Sequence, residues 1–313
     1  MNLAKIRKYG IFTALIVLII FFSIFTNTFL TFGNLINIAR QISMLGIAAV
    51  GMAFVLLLGG IDLSIGSQIS LVNIIGAWLM AKAGLNPVFA IIISLTVSTS
   101  VGFMHGWIIA NIKMPPLIVT LASLTILEGL AFIISGGVPI FGFPKSFSVI
   151  GQGYVGFVPV PVIIMIVIMA IGSFILNKTY FGRYFYAVGG NEEASELSGI
   201  DVKKVKYLVY TLSGLFAGIA GVVMLSRANS GQAIAGQGFE LDVLTAVVLG
   251  GVSLTGGYGK MNNVVSGVLI MGVLSNGMVL MNINNYYQLV VKGLVLMLAV
   301  GFDSYQRFLV GSN

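Results

Sequence analysis

The sequence predicts an all-α polytopic membrane protein of about ten transmembrane helices, some of them broken by glycine. Three observations carry that reading. The 313 residues are 58% hydrophobic and only 8% charged, with a mean hydropathy of +1.06, whereas a soluble globular chain is roughly 25% charged. There is too little polar surface to cover a body in water, so the bilayer is the solvent. Apolar stretches of near-spanning length follow one another along the whole chain. Glycine is also abundant, at 40 residues, and small residues let membrane helices approach closely.

The absence of cysteine excludes a disulfide frame, thiol catalysis and a zinc–thiolate site. The net charge of +7 could suggest nucleic acid, but its distribution follows membrane orientation instead, so no nucleic-acid partner is expected. The N-terminal apolar run is too long for a signal peptide and lacks a small-x-small cleavage site. It reads as a retained first span.

A span needs about 20 apolar residues, fewer where a broken helix is buried in protein. Span 1 covers residues 10–30, after Lys5, Arg7 and Lys8. Span 2 covers 42–58 and runs into GGIDLSIG at 59–66, which breaks the helix. Spans 3 and 4 cover 67–83 and 88–111. Pro115 and Pro116 open span 5, 117–135, as proline suits a helix start. Residues 136–160 read as a loop, too polar and broken to span. Span 6 covers 161–176, span 7 207–225 and span 8 241–249. Span 8 is short and ends in GGVSLTGGYG, so it either starts within the outer loop or is re-entrant. Spans 9 and 10 cover 264–281 and 288–302.

Lysine and arginine in short loops set orientation. With the N-terminus inside, the inner set is Lys5, Arg7, Lys8, Lys113, Lys178, Arg183, Lys203, Lys204, Lys206, Lys260 and Arg307. The outer set is Arg40, Lys82, Lys145 and Arg227. This bias predicts ten spans with both termini cytoplasmic. It also puts LGGIDLSIG (58–66) and LGGVSLTGG (249–257) on one side. Either a parallel repeat of spans 1–4 with spans 7–10 or two similar local helix breaks accounts for that echo. Gly-interrupted repeats mark the pathway in many transporters.

Residues 178–206 form the only long polar interruption, a predicted cytoplasmic loop. It holds Glu192, Glu193, Glu196 and Asp201, four of the nine acidic residues. Asn191 can cap a short helix, Glu192 and Glu193 suit its first turn, and Gly199 fits the left-handed position after it. The result is a two-turn helix over 192–198, with Ala194 and Leu197 on one face and Glu193 and Glu196 on another. Such a helix either docks on a partner or is a solvated connector.

The loop also carries a family resemblance. Residues 183–194, RYFYAVGGNEEA, with LSGI at 197–200 and LSGLFAGIAG at 212–221, resemble the cytoplasmic loop and following span of ribose-type ABC importer permeases. GGIDLSIG at 59–66, PPLIVTL at 115–121, and ELD at 240–242 leading into AVVLGG at 246–251 match in the same order. The resemblance covers nearly the whole chain. It implies an inner-membrane permease subunit of a binding-protein-dependent importer, with no chemistry or cofactor of its own and ATP-Mg bound by a partner ATPase subunit. The implied coupling contact is 190–200, involving Gly190, Asn191, Glu192, Glu193, Ala194, Glu196, Leu197 and Gly199. An external solute-binding protein and a second permease subunit, either the same chain or a close paralogue, are the other implied partners. Related permeases serve ribose, other monosaccharides, inositol, autoinducer-2 and nucleosides, and more distant ones branched-chain amino acids. The family pattern has Asn-Gly where this chain has His105-Gly106, and Arg-Gly where it has Glu128-Gly129. Those departures weaken any transfer of substrate identity.

Asp62, Ser64, Asn73, His105 and Glu128 are the candidate pathway residues. Asp62 either lines the path or caps span 3 with help from Ser64. Glu128 and Lys292, inside spans 5 and 10, either pair with each other or make separate interior contacts. Glu240 and Asp242, read at the outer edge, either cap span 8 or contact an outside partner such as the binding protein. The lone His105 has no partners for a metal site and reads as a packed, hydrogen-bonded side chain. Phe141, Phe143, Phe147, Tyr154 and Phe157 read as interfacial anchors. There is no Walker motif. The rival functions are an ion-coupled secondary transporter using Asp62, Glu128 or Glu240, and an integral-membrane enzyme, which lacks a visible nucleophile–base or metal set.

Overall fold

The computed structural model describes the backbone of residues 3–311 and the side chains of residues 12–305. The basic Lys5, Arg7, Lys8 and Arg307 used for orientation therefore lie outside the described side chains. Among the described residues the architecture is helical, with one two-residue β-hairpin.

Helix α1 is Leu3–Phe25 and α2 is Phe32–Leu57. α3 is Ile65–Ala81, and α4 is Pro87–Trp107, continued by a π-helical turn at Ile108–Ile112. α5 is Pro116–Ser135. After α6 (Lys145–Gln152) and the hairpin β1 (Tyr154–Val155) and β2 (Val158–Pro159) comes α7, Val160–Lys178. α8 (Tyr180–Gly190) and α9 (Glu192–Leu197) fill the polar stretch. α10 is Val202–Ala228, α11 Phe239–Leu249, α12 Met261–Leu280 and α13 Asn285–Gly311. A helix lies over each of the ten apolar stretches, and seven among the described residues are long and apolar enough to cross a membrane. α3 and α11 are shorter.

α10 is the hub. It packs against α2, α3 and α4, and glycine makes the α4 crossing possible. A Cβ on Gly102 would sit 3.1 Å from Gly214 Cα, so backbones meet with no side chain between them. α2 forms the other axis of the core, its residues from Ser43 to Leu57 all buried. Asn34 of α2 and Asn276 of α12 exchange amide hydrogen bonds of 2.9 and 3.0 Å. A reciprocal amide pair leaves few polar atoms unsatisfied in an apolar setting.

Residues 136–160 are more ordered than a loop. α6 and the hairpin lid one end of the bundle. Ser226 of α10 donates to the Phe147 carbonyl at 2.6 Å and accepts from Gly151 N at 2.8 Å. Phe147 is therefore 2% exposed and belongs to the core, not to the interfacial anchors. Arg40 Nη2 donates to the Gln152 carbonyl at 2.8 Å, and its guanidinium lies 4.7 Å from the Tyr154 ring centroid. Tyr154 thus stacks on a cation.

The two glycine breaks meet at the opposite end. Gly59 (φ +79°) and Gly251 (φ +81°) each follow a helix, α2 and α11, in the left-handed conformation. Gly59 N and Gly60 N donate to the Leu56 and Val55 carbonyls, and Gly251 N and Val252 N to those of Val248 and Val247. Both ends are the same Schellman cap. The letters align Gly59 with Gly250, but the geometry aligns it with Gly251, so the sequence echo is one residue out of register with the structural one. Gly257 N donates to the Leu57 carbonyl at 2.9 Å, joining the two breaks directly.

Candidate functional site

The polar stretch builds as its residues dictate. Asn191 has extended backbone and its Oδ1 accepts from Ala194 N at 2.8 Å. Glu192 and Glu193 occupy the first turn, where negative charge complements the helix dipole. Gly199 takes φ +86°, and Ile200 N returns to the Ser195 carbonyl at 3.1 Å to end α9. Asp201 then starts α10, accepting from Lys204 N at 3.1 Å and pairing with Lys204 Nζ at 3.0 Å. The Lys204 hydrogen bonds hold its exposed carboxyl below the ordinary aspartate range.

α9 is bound on one side only. Ser195 is buried, and Glu192 Oε1 accepts from Lys206 Nζ of α10 at 2.7 Å. Ala194 and the acidic side chains Glu193 and Glu196 are exposed, and Leu197 is 84% exposed. A largely bare leucine beside two carboxylates is a two-part surface, apolar and acidic. Beneath α9 lies a cavity of about 530 Å³, lined among others by Gly59, Gly60, Lys113, Pro116, Lys203 and Tyr210. Lys113 holds a left-handed conformation (φ +59°) where α4 turns toward α5.

Above that cavity is a buried polar chain. Asp62 is fully buried, and its Oδ1 accepts from Ser64 N at 3.1 Å and Ser64 Oγ at 2.5 Å. Its Oδ2 accepts from Ser213 Oγ of α10 at 2.8 Å. Gln68 Nε2 donates to Ser64 Oγ at 2.8 Å, and Ser98 Oγ of α4 lies 3.0 Å from Gln68 Oε1. Asp62 is thus not the cap of α3. It folds back in an Asx turn that holds Ser64, and fastens the broken segment to α10. Ser213 is 11 residues along α10, about 16 Å up its axis, so this carboxylate lies deep in the bundle. His105 Nε2 lies 2.6 Å from Ser123 Oγ of α5. His105 Nδ1 and the buried Tyr210 hydroxyl have no hydrogen-bond partner among the described residues.

The remaining candidates lie elsewhere. Asn73 Oδ1 accepts from Gln232 N at 2.9 Å, which pins the loop before α11 to α3. Glu128 and Lys292 do not pair. Gln237 Nε2 reaches Glu128 at 3.5 Å, a long contact, while Lys292 Nζ of α13 pairs with Asp242 of α11 at 2.6 Å. A Cβ on Gly66 of α3 would collide with the Glu240 carboxylate, so Glu240 sits against the first turn of α3. With 11 residues, α11 rises only about 16 Å. The partners Gln68, Ser98 and Ser213, and the nearby Tyr210 hydroxyl, were missed in the sequence. The available signal was their polarity inside otherwise apolar spans, with Tyr210 and Ser213 three residues apart on one helical face.

Comparison with known proteins finds a matching family and related chains. Residues 34–300 match the family model for the branched-chain amino acid transport system / permease component. The chain is 43% identical over 299 residues to the ribose import permease protein RbsC of Bacillus subtilis, covering 95% of this chain and 92% of that protein. It is 42% identical to the RbsC of Haemophilus influenzae, covering 94% and 92%. It is 40% identical over 312 residues to the L-arabinose transport system permease protein AraH of Escherichia coli, covering 96% and 91%. No solved structure matches it significantly.

Proposed function

The chain belongs to the family of branched-chain amino acid transport system / permease components, and within it to the ribose-type ABC permeases, and on that premise we propose how it works. It is the membrane-spanning permease subunit of an ATP-driven importer for a sugar or sugar-like solute, and it does no covalent chemistry itself. The curated relatives named for ribose and arabinose import support a monosaccharide as solute.

The ten helices over the apolar stretches cross the plasma membrane, both termini facing the cytoplasm, with α11 a partial span. The lysine and arginine bias supports this. Residues 178–206 face the cytoplasm, and Gly190, Asn191, Glu192, Glu193, Ala194, Glu196, Leu197 and Gly199 form the contact to a partner ATPase that binds ATP-Mg. The observation that carries this is α9 itself, a capped helix bound on one face and bare on the other. Asp62, Ser64 and His105 belong to the inner half of the pathway and Asn73 and Glu128 to its wall further out. Glu240 and Asp242 order the start of α11. A second permease subunit completes the path and an external binding protein delivers solute. ATP binding shifts the population between outward- and inward-open states because it has different affinities for them. The matching caps at Gly59 and Gly251 support a parallel repeat.

Uptake by the reconstituted subunits tests the reading. It is expected to need ATP and the ATPase; uptake driven by an ion gradient through this chain alone would sink it.

A further inference from the structure

We propose that Gly189 is a positioning residue, the joint through which motion of α9 reaches both glycine-broken helices at once. This rests on the reading of α9 as the ATPase contact.

Three stretches of backbone converge at Gly189 with no side chain between them. A Cβ there would fall on the Leu57 carbonyl oxygen at the end of α2, and 2.7 Å from Gly257 N in the turn after α11. Those two atoms are themselves hydrogen-bonded at 2.9 Å. From the other side, a Cβ on Gly256 would lie 2.7 Å from the Gly189 carbonyl oxygen and 2.8 Å from Gly59 N. One on Gly257 would lie 2.9 Å from Gly190 Cα. α8 is held to the same two partners. Phe185, fully buried, packs on Phe54 of α2 with centroids 5.4 Å apart, and Tyr186 Oη donates to the Gly259 carbonyl at 2.7 Å.

Side chains absorb displacement by changing rotamer, whereas a backbone-on-backbone contact has no such slack, so small shifts pass on as switches between packed arrangements. α9 begins three residues after Gly189. Its movement pushes on the end of α2 and on the α11–α12 turn together. Through α2 it reaches the Gly59–Asp62 segment, and through the turn it reaches α11. At Gly33, by contrast, an exposed glycine at the start of α2, a Cβ would meet nothing within 4 Å. The two glycines therefore differ in what a methyl group would do.

The test uses the complete complex of permease, ATPase and binding protein in vesicles, with uptake and ATP hydrolysis measured together. Gly33→Ala is expected to stay within about twofold of wild type in uptake per ATP. Gly189→Ala is expected to keep the ATPase bound, yet to lose about 100-fold in uptake per ATP, the scale of a misplacement of about 1 Å. Tyr186→Phe removes one hydrogen bond and is expected to lower uptake per ATP about fivefold. It decides the matter if Gly189→Ala does not fold. Wild-type uptake per ATP in Gly189→Ala, or in Tyr186→Phe, would overturn the proposal, as would equal loss in Gly33→Ala. Failure of the underlying reading shows differently, as an ATPase that never binds the wild-type permease.

Discussion

Asp62 and Ser213, 151 positions apart in sequence, are joined by a 2.8 Å hydrogen bond deep in the bundle. A buried carboxylate with donors from Ser64 and Ser213 fixes the broken segment before α3 against the central helix α10. A buried hydrogen bond to a charged group is worth about 1.5–3 kcal/mol, and an orphaned partner adds to the cost of losing it.

Asp62→Ala should therefore be the more damaging of two changes, since it removes the acceptor of Ser64 N, Ser64 Oγ and Ser213 Oγ together. Ser213→Ala should cost about 1.5–3 kcal/mol and leave the Asx turn intact. Thermal unfolding in detergent measures both. Equal melting temperatures for the two variants would contradict the assignment.

Lys292 and Asp242 tie α13 to α11. Lys292→Met leaves a half-buried carboxylate unpaired and should cost about 1–3 kcal/mol, whereas Lys292→Met with Asp242→Leu should recover most of it. A double-mutant cycle on unfolding reads the difference. Additive losses would mean the two side chains act independently.

Charge reversal on the bare face of α9 probes docking without touching the fold. Glu193→Lys with Glu196→Lys should abolish co-purification with the ATPase while leaving the melting temperature unchanged, because both side chains are exposed. Leu197→Ala should weaken association by about 1.5–3 kcal/mol. Full retention of the ATPase in both variants counts against this surface.

The cap of α9 makes a separate test. Asn191→Ala should cost the helix about 1 kcal/mol, and Gly199→Ala a further comparable amount from a left-handed backbone. Faster amide exchange confined to residues 192–200 is the expected signature. Exchange spread across α10 would show that the loop is not a local unit.

Asp201 carries a pH dependence. Its folded carboxyl titrates below its ordinary value because of Lys204. Its contribution is therefore present above the unfolded aspartate range and fades as pH falls through the depressed value. Protection of the Lys204 amide should fall in acid, and Asp201→Asn should remove that dependence while keeping the cap. A wild-type profile in the variant would assign the effect elsewhere.

Much of this was legible in the residues. Apolar run lengths located the helices, and Asn191, Glu192 and Gly199 marked α9 to within one residue, because capping chemistry is local. What was not legible is pairing across the fold. Glu128 and Lys292 are opposite charges set mid-span in the prediction, so they invited each other, yet Lys292 meets Asp242. Packing decided it. α13 lies against α11, and run length alone does not reveal which helices become neighbours. Phe147 was counted with exposed aromatics because the stretch around it is broken by glycine and proline. Ser226 organises α6 from 75 or more positions away, and no local pattern announces that.

The shortness of α11 also bears on how the protein is made. A helix of 11 residues falls well below the roughly 20 that a spanning helix needs. Presented alone to the insertion machinery during synthesis, it is a poor signal for leaving the aqueous channel. The backbone turns that precede it are tolerated in the membrane only when covered by other protein. α12 and α13 must therefore already be synthesised before α11 can take its place, and Lys292 supplies the partner that makes Asp242 acceptable there. The C-terminal third is therefore expected to enter the bilayer as a cooperative unit.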